Sequence, residues 1–345
     1  MKKLIEGNEL LLHVPTCKTT ERGPSVYLEH NLILDDGNCF ESPLLIEGSV
    51  GAGKTTLIKQ IIDPVLKYAD MVRDNVVIFC AKPDMLCYAR PDDPVISICS
   101  DKIESCWNVF AEMESSDHPY MTLREIVTEL FADSEKKTMQ PFFPQAARDI
   151  FYQTCRFIYD YAKKKNVSFS NADIVEFLET TPIHSTQDIP GWIELASMYP
   201  NYFGMLRDYI GDGTEQGMGC LSELRTLISR TLFGCFAAEN GAFSAIDALK
   251  QGGKRIFLHY DYANSGHSTL PVFHIIIDLL LKQSMNSKSI HKTWFFLDEA
   301  SLLPKSDVLF DALSFGRDPA TNNKGGVRII MALQSARLMT RYYTQ

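Results

Sequence analysis

Lys54 and Thr55 close the run Gly48-Ser49-Val50-Gly51-Ala52-Gly53-Lys54-Thr55, which fills every fixed position of G-x-x-x-x-G-K-[ST]. The chemistry is phosphate binding. Glycines let the backbone fold around a phosphate chain with several N–H groups turned inward, and a helix opening near Lys54 adds its positive end. The Lys54 ammonium then reaches β- and γ-phosphates, and the Thr55 hydroxyl ligates Mg²⁺. The expected nucleotide contacts are this run together with Thr56. A plain glycine-rich turn is the competing reading. The flanking segments argue against it, because Leu44-Leu45-Ile46 reads as a strand and Thr56 to Ile62 as an amphipathic helix.

A second constellation lies far along the chain. Trp294-Phe295-Phe296-Leu297-Asp298-Glu299 is four apolar residues followed by two acids. A buried strand that delivers carboxylates at its end is costly to desolvate unless the acids have work. Asp298 is suited to orient Mg²⁺, directly or through water, and Glu299 to polarise a water attacking the γ-phosphate. The competing reading has both acids capping the next turn. Gln334, at the end of the following strand, can hydrogen-bond γ-phosphate and water without adding charge; alone it reads as a surface amide. Arg317 precedes a polar stretch, Asp318 to Gly326, and is suited to reach a neighbouring subunit's site as an arginine finger. Its competing reading is a solvated cation at a helix end.

These residues need a frame. β-branched and apolar runs at 75–81, 94–99, 255–261, 293–297 and 327–333 read as strands, and 271–285 and 306–315 as helices between them. Strands alternating with helices predict a doubly wound α/β sheet, whose ligands bind at the carboxyl ends of the strands. Residues 25–34 are β-rich, and Asp35-Asp36-Gly37-Asn38 signals a turn. From about Tyr120 to residue 240 the spacing turns helical, through 121–131, 144–165 and 221–238, with Ser170 placed as a helix cap. Aromatic residues in this block read as core rather than as a base-stacking platform.

The chain has 345 residues, 45% of them apolar and 22% charged, which suits a globular protein of about two structural units. No apolar run approaches the roughly 18 residues that span a bilayer, and the start lacks the apolar core of a signal peptide. Nine scattered cysteines without a C-x-x-C pair indicate neither a disulfide framework nor a zinc site and suit a reducing cytosol. The net charge of −9 disfavours wholesale wrapping of nucleic acid but leaves room for a local basic lining.

Taken together, GSVGAGKTT, WNVFAEM (Trp107 to Met113), FFLDEAS (Phe295 to Ser301) and ALQSARL (Ala332 to Leu338), with a helical block between them, resemble the type IV secretion coupling proteins. These are the TraD/TraG-like conjugation ATPases within the wider FtsK/HerA class. The resemblance spans nearly all of residues 40–340. It implies a RecA-like P-loop NTPase sheet carrying an inserted all-α domain. By domain, it implies an N-terminal β segment over 1–40, a discontinuous nucleotide-binding domain over 41–118 and 242–345, and a helical insert over 119–241. It further implies ring hexamers with sites between subunits, and ATP- and Mg²⁺-driven passage of DNA or a relaxase–DNA conjugate toward a secretion channel. In that scheme Lys54 and Thr55 hold phosphate and Mg²⁺, Asp298 and Glu299 form the acidic motif, Gln334 is the sensor, and Arg317 falls where the trans-acting arginine sits. The sequence departs from the family in three places. It lacks the usual transmembrane helices, so membrane attachment is expected only through partners, at the cytoplasmic face. It ends at Gln345, where the family continues. Arg337 stands where the family usually has glutamine. Two other readings compete. One is an adaptor that docks a protein substrate through its helical block, with nucleotide only stabilising the assembly. The other is a small-molecule kinase, which would need an arginine-bearing lid.

Overall fold

The computed structural model describes residues 24, 26–28, 32–33, 39–210, 214–286, 290–315 and 326–335. It divides into two compact units. One comprises Met1–Val95, Leu249–Tyr260 and Asp278–Gln345; the other comprises Ile96–Ala248 and Asp261–Ile277.

The first unit is built on a sheet. A two-stranded antiparallel ladder pairs β1 (Tyr27–Leu28) with β2 (Leu32–Ile33). The expected turn at 35–38 lies outside the described residues. Six further strands are β3 (Leu44–Glu47), β4 (Asn75–Cys80), β5 (Val95–Ile96), β6 (Arg255–His259), β7 (Lys292–Leu297) and β8 (Gly326–Leu333), in the order β3-β8-β7-β4-β6-β5. The β3–β8, β8–β7, β7–β4 and β4–β6 ladders are all parallel. Every residue of β4 is buried, and in β7 all but the first, as expected of parallel strands covered on both faces. The strand expected over 94–99 shrinks to two residues, because the chain turns at Ser97–Ser100 instead of continuing the ladder.

Helix α1 (Lys54–Val72) covers one face of this sheet. Its buried residues Ile58, Ile61, Ile62, Val65, Leu66 and Ala69 recur at helical spacing and meet Ile46, Ile78, Trp294, Phe296 and Ile330 in one cluster. At about 1.5–3 kcal/mol for each large side chain, that stripe contributes on the order of 10 kcal/mol before chain entropy is subtracted. The helix stops at Arg73, which adopts a left-handed φ of 62° and is followed by Asp74 N donating to Ala69 O at 2.9 Å. Asp74 is buried and receives Trp294 Nε1 and Lys292 N, each at 3.1 Å, which fixes where β7 begins.

The second unit is helical among the described residues. It holds α2 (Val109–Ser115), α3 (Pro119–Lys137), α4 (Phe142–Lys165), α5 (Asn171–Thr180), α6 (Trp192–Met198) and α7 (Glu215–Thr231), with shorter turns between them. The helix expected over 221–238 ends earlier, at Thr231, and resumes as a 3₁₀ turn over Gly234–Ala237, where Gly234 takes a φ of 53°. Ser170 caps α5 as expected through a reciprocal capping box: its side chain receives the Asp173 N–H, and Asp173 Oδ2 receives the Ser170 N–H at 2.6 Å. Residues 96–118 and 242–248 belong with these helices rather than with the sheet. Backbone and side chains show why. The Trp107 and Phe243 backbones form a parallel bridge, through Asn108 N to Phe243 O at 3.1 Å and Phe243 N to Cys106 O at 2.9 Å. Asn108 Nδ2 donates to Gly241 O at 2.8 Å, and Asn171 Nδ2 donates to Trp107 O and Phe236 O. Helix α8 (Leu270–Met285) and α9 (Asp307–Phe315) are the remaining longer helices among the described residues.

Candidate phosphate-binding site

The loop between β3 and α1 leaves the sheet at its carboxyl edge. Gly48 N donates to Leu333 O at 3.2 Å, which anchors the start of the loop to the end of β8. Gly51 and Gly53 adopt φ of 79° and 87°. A Cβ at either position would meet nothing within 4 Å, so the backbone angle, not crowding, is what demands glycine there. Gly53 then gives way to Lys54, the first residue of α1, and Leu57 N closes the first helical bond to Gly53 O at 3.0 Å. Val50, at the loop tip, is 80% exposed.

Lys54 curls over its own loop, Nζ donating to Gly48 O at 2.6 Å and Ser49 O at 3.0 Å. Thr55 Oγ1 lies 3.5 Å from both carboxylate oxygens of Asp298, a residue 243 positions away. Asp298 is held in turn by its own N–H, which donates to Phe79 O at 3.0 Å beyond the paired ends of β7 and β4. Burial pushes its carboxyl above the ordinary range and the neighbouring Glu299 charge adds to this; the Thr55 hydroxyl, Lys82 and Lys54 oppose them. Glu299 is half-buried, takes a left-handed φ of 67°, and accepts a hydrogen bond from Ser301 Oγ.

Lys54, Thr55, Asp298 and Glu299 are therefore brought to one place, as their residue types suggested. Gln334 follows Leu333, whose strand lies between β3 and β7, and it is exposed. Ser49, Ala52, Gly53 and Thr56 are exposed along the loop and the first turn. Arg317 and Arg337 lie outside the described residues. One basic residue was missed. Lys82 follows the end of β4, next to β7, and its charge bears on Asp298. The signal was available in the run Asn75 to Lys82, a buried strand ending on a cation, but an isolated lysine carries no motif. The same corner holds the Cys80 thiol, raised to about 12 by burial first and then by the Asp298 and Asp84 charges.

The donor set is hard oxygen, a hydroxyl and a carboxylate, beside an ammonium and a helix N-terminus with unpaired N–H groups. That combination fits Mg²⁺ and a polyphosphate. The family model for the type IV secretion-system coupling protein DNA-binding domain matches residues 38–188 and 212–345. The chain belongs to this family. Solved coupling-protein structures share its fold. The plasmid coupling protein TrwB in complex with ADP and Mg²⁺ has a TM-score of 0.67 at 18% identity, covering 99% of this chain and 74% of that one. TrwB with the non-hydrolysable ATP analogue ADPNP has 0.67 at 19% over the same shares. The sulphate complex of the bacterial conjugative coupling protein TrwBdeltaN70 has 0.67 at 18%, covering 98% and 73%. No curated protein matches the chain. This coupling-protein chain thus has the expected α/β fold, a parallel sheet with an all-α segment inserted in its sequence. None of its helices, among the described residues, is long and apolar enough to cross a membrane.

Proposed function

We propose that this chain binds ATP with Mg²⁺ and hydrolyses it, and that hydrolysis drives DNA or a relaxase–DNA conjugate toward a secretion channel. The observation that carries the reading is the approach of Thr55 Oγ1 to the Asp298 carboxylate at 3.5 Å, beside the Lys54 ammonium. The roles follow from chemistry. The loop from Gly48 to Thr56 and the N-terminus of α1 surround the phosphates with backbone N–H groups, Gly48 N–H staying on Leu333 O, and Lys54 exchanges its loop carbonyls for the β- and γ-phosphates. Thr55 and Asp298 would hold Mg²⁺, which neutralises phosphate charge when bound. Glu299 polarises the water and accepts its proton, Gln334 orients that water, and Arg317 serves a neighbouring subunit's site. Nucleotide and Mg²⁺ in the TrwB complexes support this assignment by likeness of fold. We read the assembly as a hexamer at the cytoplasmic face of a membrane, with the helical unit of residues 96–248 and 261–277 as its helical domain and 1–40 as an N-terminal β segment beside the motor.

The test is ATPase activity of the full chain with and without single- and double-stranded DNA, alongside a mass measurement. Lys54→Ala is expected to weaken ATP binding roughly 10- to 100-fold, from about 1.5–3 kcal/mol of charge-assisted hydrogen bonding, and to abolish turnover. Glu299→Gln is expected to keep binding and lose turnover. Wild-type turnover by Glu299→Gln would remove Glu299 from its role. ATP binding that is indifferent to Lys54 would remove the whole reading.

A further inference from the structure

Two cavities adjoin on the helical unit and share Phe169, Asp173 and Glu176 as a common wall. The larger, about 550 Å³, is edged by the carboxylates of Glu114, Asp173, Glu176 and Glu239 and by the backbone of 239–242. The smaller, about 300 Å³, is walled by the rings of Phe157, Tyr161, Phe169 and Phe177. Helical spacing explains the lining: α4 presents Phe157, Ile158 and Tyr161 on one face, and α5 presents Asp173, Glu176, Phe177 and Thr180 on another.

The aromatic cluster has a closed base and an open rim. Phe157 packs 5.2 Å from Phe203, and Phe177 packs 5.6 Å from Trp192; Phe203 and Trp192 are fully buried. At the rim, Tyr161 is 44% exposed and Tyr199, 4.9 Å from Phe157, is 37% exposed. Ring faces carry partial negative charge, so rings and carboxylates favour the same occupant, a cation with an apolar stem. The chain already shows this preference, since Lys165 Nζ lies 6.0 Å over the Tyr161 ring. Glu114 is engaged by Lys163 at 2.9 Å, and Asp173 holds Ser170 N. Glu176 and Glu239, both exposed, remain to receive a charge from outside.

We propose that this cleft docks a segment of a protein partner carrying arginine or lysine next to a leucine-like or aromatic residue. The cationic head meets Glu176 and Glu239, while its stem and its neighbour cover Phe157, Tyr161 and Phe177. A nucleic-acid backbone has the wrong sign for these carboxylates. The inference stands apart from the nucleotide reading and needs no ATP.

The probe is a fluorescein-labelled, amidated peptide alternating arginine and leucine over about ten residues, titrated with the full chain by anisotropy. A glutamate–leucine counterpart and a single-stranded oligonucleotide are run beside it. Glu176→Lys/Glu239→Lys and Tyr161→Ala are each expected to weaken arginine-peptide binding roughly tenfold. Asp188→Lys/Glu215→Lys makes the same charge change outside the cleft and is expected to leave most of the affinity. A benzophenone side chain at Ser168, which lines the larger cavity, is expected to crosslink the arginine peptide and not the glutamate one. The proposal is overturned by equal losses in the cleft and control pairs, by equal crosslinking of both peptides, or by oligonucleotide binding that the cleft variants abolish. Comparable melting of all variants excludes misfolding as the source of a loss, and the Ser168 crosslink decides the matter if Tyr161→Ala melts early.

Discussion

Removing the carboxylate of Glu112 tests how the ends of the helical insert are held together. Glu112 is 0% exposed and accepts four hydrogen bonds. Oε1 takes Trp107 Nε1 at 2.9 Å and Ala245 N at 2.6 Å; Oε2 takes Ser244 Oγ at 2.7 Å and Ile246 N at 3.1 Å. In Glu112→Gln the amide oxygen keeps the first pair, and the amide nitrogen faces the second. The Ser244 hydroxyl can rotate to accept from it, but the Ile246 N–H cannot. One orphaned donor costs about 1–3 kcal/mol, and relief from desolvating a charge returns part of that, so the expected loss is about 1–2 kcal/mol. Glu112→Ala strands three N–H donors and opens a cavity, for an expected loss of about 3–5 kcal/mol. Urea unfolding followed by tryptophan fluorescence reads both, because Trp107 and Trp192 lie in the helical unit. Burial pushes the Glu112 carboxyl above its ordinary range, its four donors opposing. A raised folded value favours folding most below the unfolded value, and that contribution fades as pH rises toward the folded value. Glu112→Gln should therefore remove a loss of stability on raising pH from about 4 into the neutral range. If Glu112→Ala unfolds within about 0.5 kcal/mol of the wild type, the four bonds do not stabilise this junction and the reasoning fails.

Three further outcomes are expected. His274 is buried with Nδ1 3.6 Å from Glu129; burial lowers its pKa below the usual value, Lys136 pushes the same way, and Glu129 and Asp133 oppose. The neutral ring then favours folding above about pH 6.5, so the loss of stability between about pH 7 and 5.5 should shrink in His274→Gln, read by urea midpoints at each pH. Exposed Cys87 and Cys99 should label quickly with maleimide, while buried Cys155 and Cys235, whose thiols are raised by desolvation, should label only on unfolding, read by peptide mass spectrometry. Ser170→Ala should cost about 1 kcal/mol through loss of the α5 cap, read by thermal melting.

The sheet was legible because its strands are uninterrupted apolar runs bounded by turn residues, as in Asn75 to Cys80 and Thr293 to Leu297. The loop was legible because phosphate chemistry constrains residue type at fixed spacing. Less was visible where one residue's meaning depends on a distant partner. Trp107 to Met113 stood out as a motif without an evident role, and Glu112 has one only once Ser244, Ala245 and Ile246 arrive beside it. Lys82 gains significance only from the neighbouring end of β7. The aromatics of the helical block read as core, and Phe131, Phe151, Trp192 and Phe203 are; the half-open rim at Tyr161 and Tyr199 could not be seen from spacing, because both helix faces are rich in rings.

The Trp107–Phe243 bridge has a topological meaning. The excursion that carries all those helices departs and returns at neighbouring points, fastened there by Asn108, Asn171 and Glu112. Whatever length of polypeptide lies beyond the clasp, the flanking chain experiences only a short, fixed gap. The entropy of closing so long a detour grows merely with the logarithm of its length, and the clasp supplies the enthalpy once. Such a junction tolerates growth, trimming or exchange of the helices beyond it without disturbing the chain on either side. The helical excursion and the sheet can then diversify separately within one polypeptide.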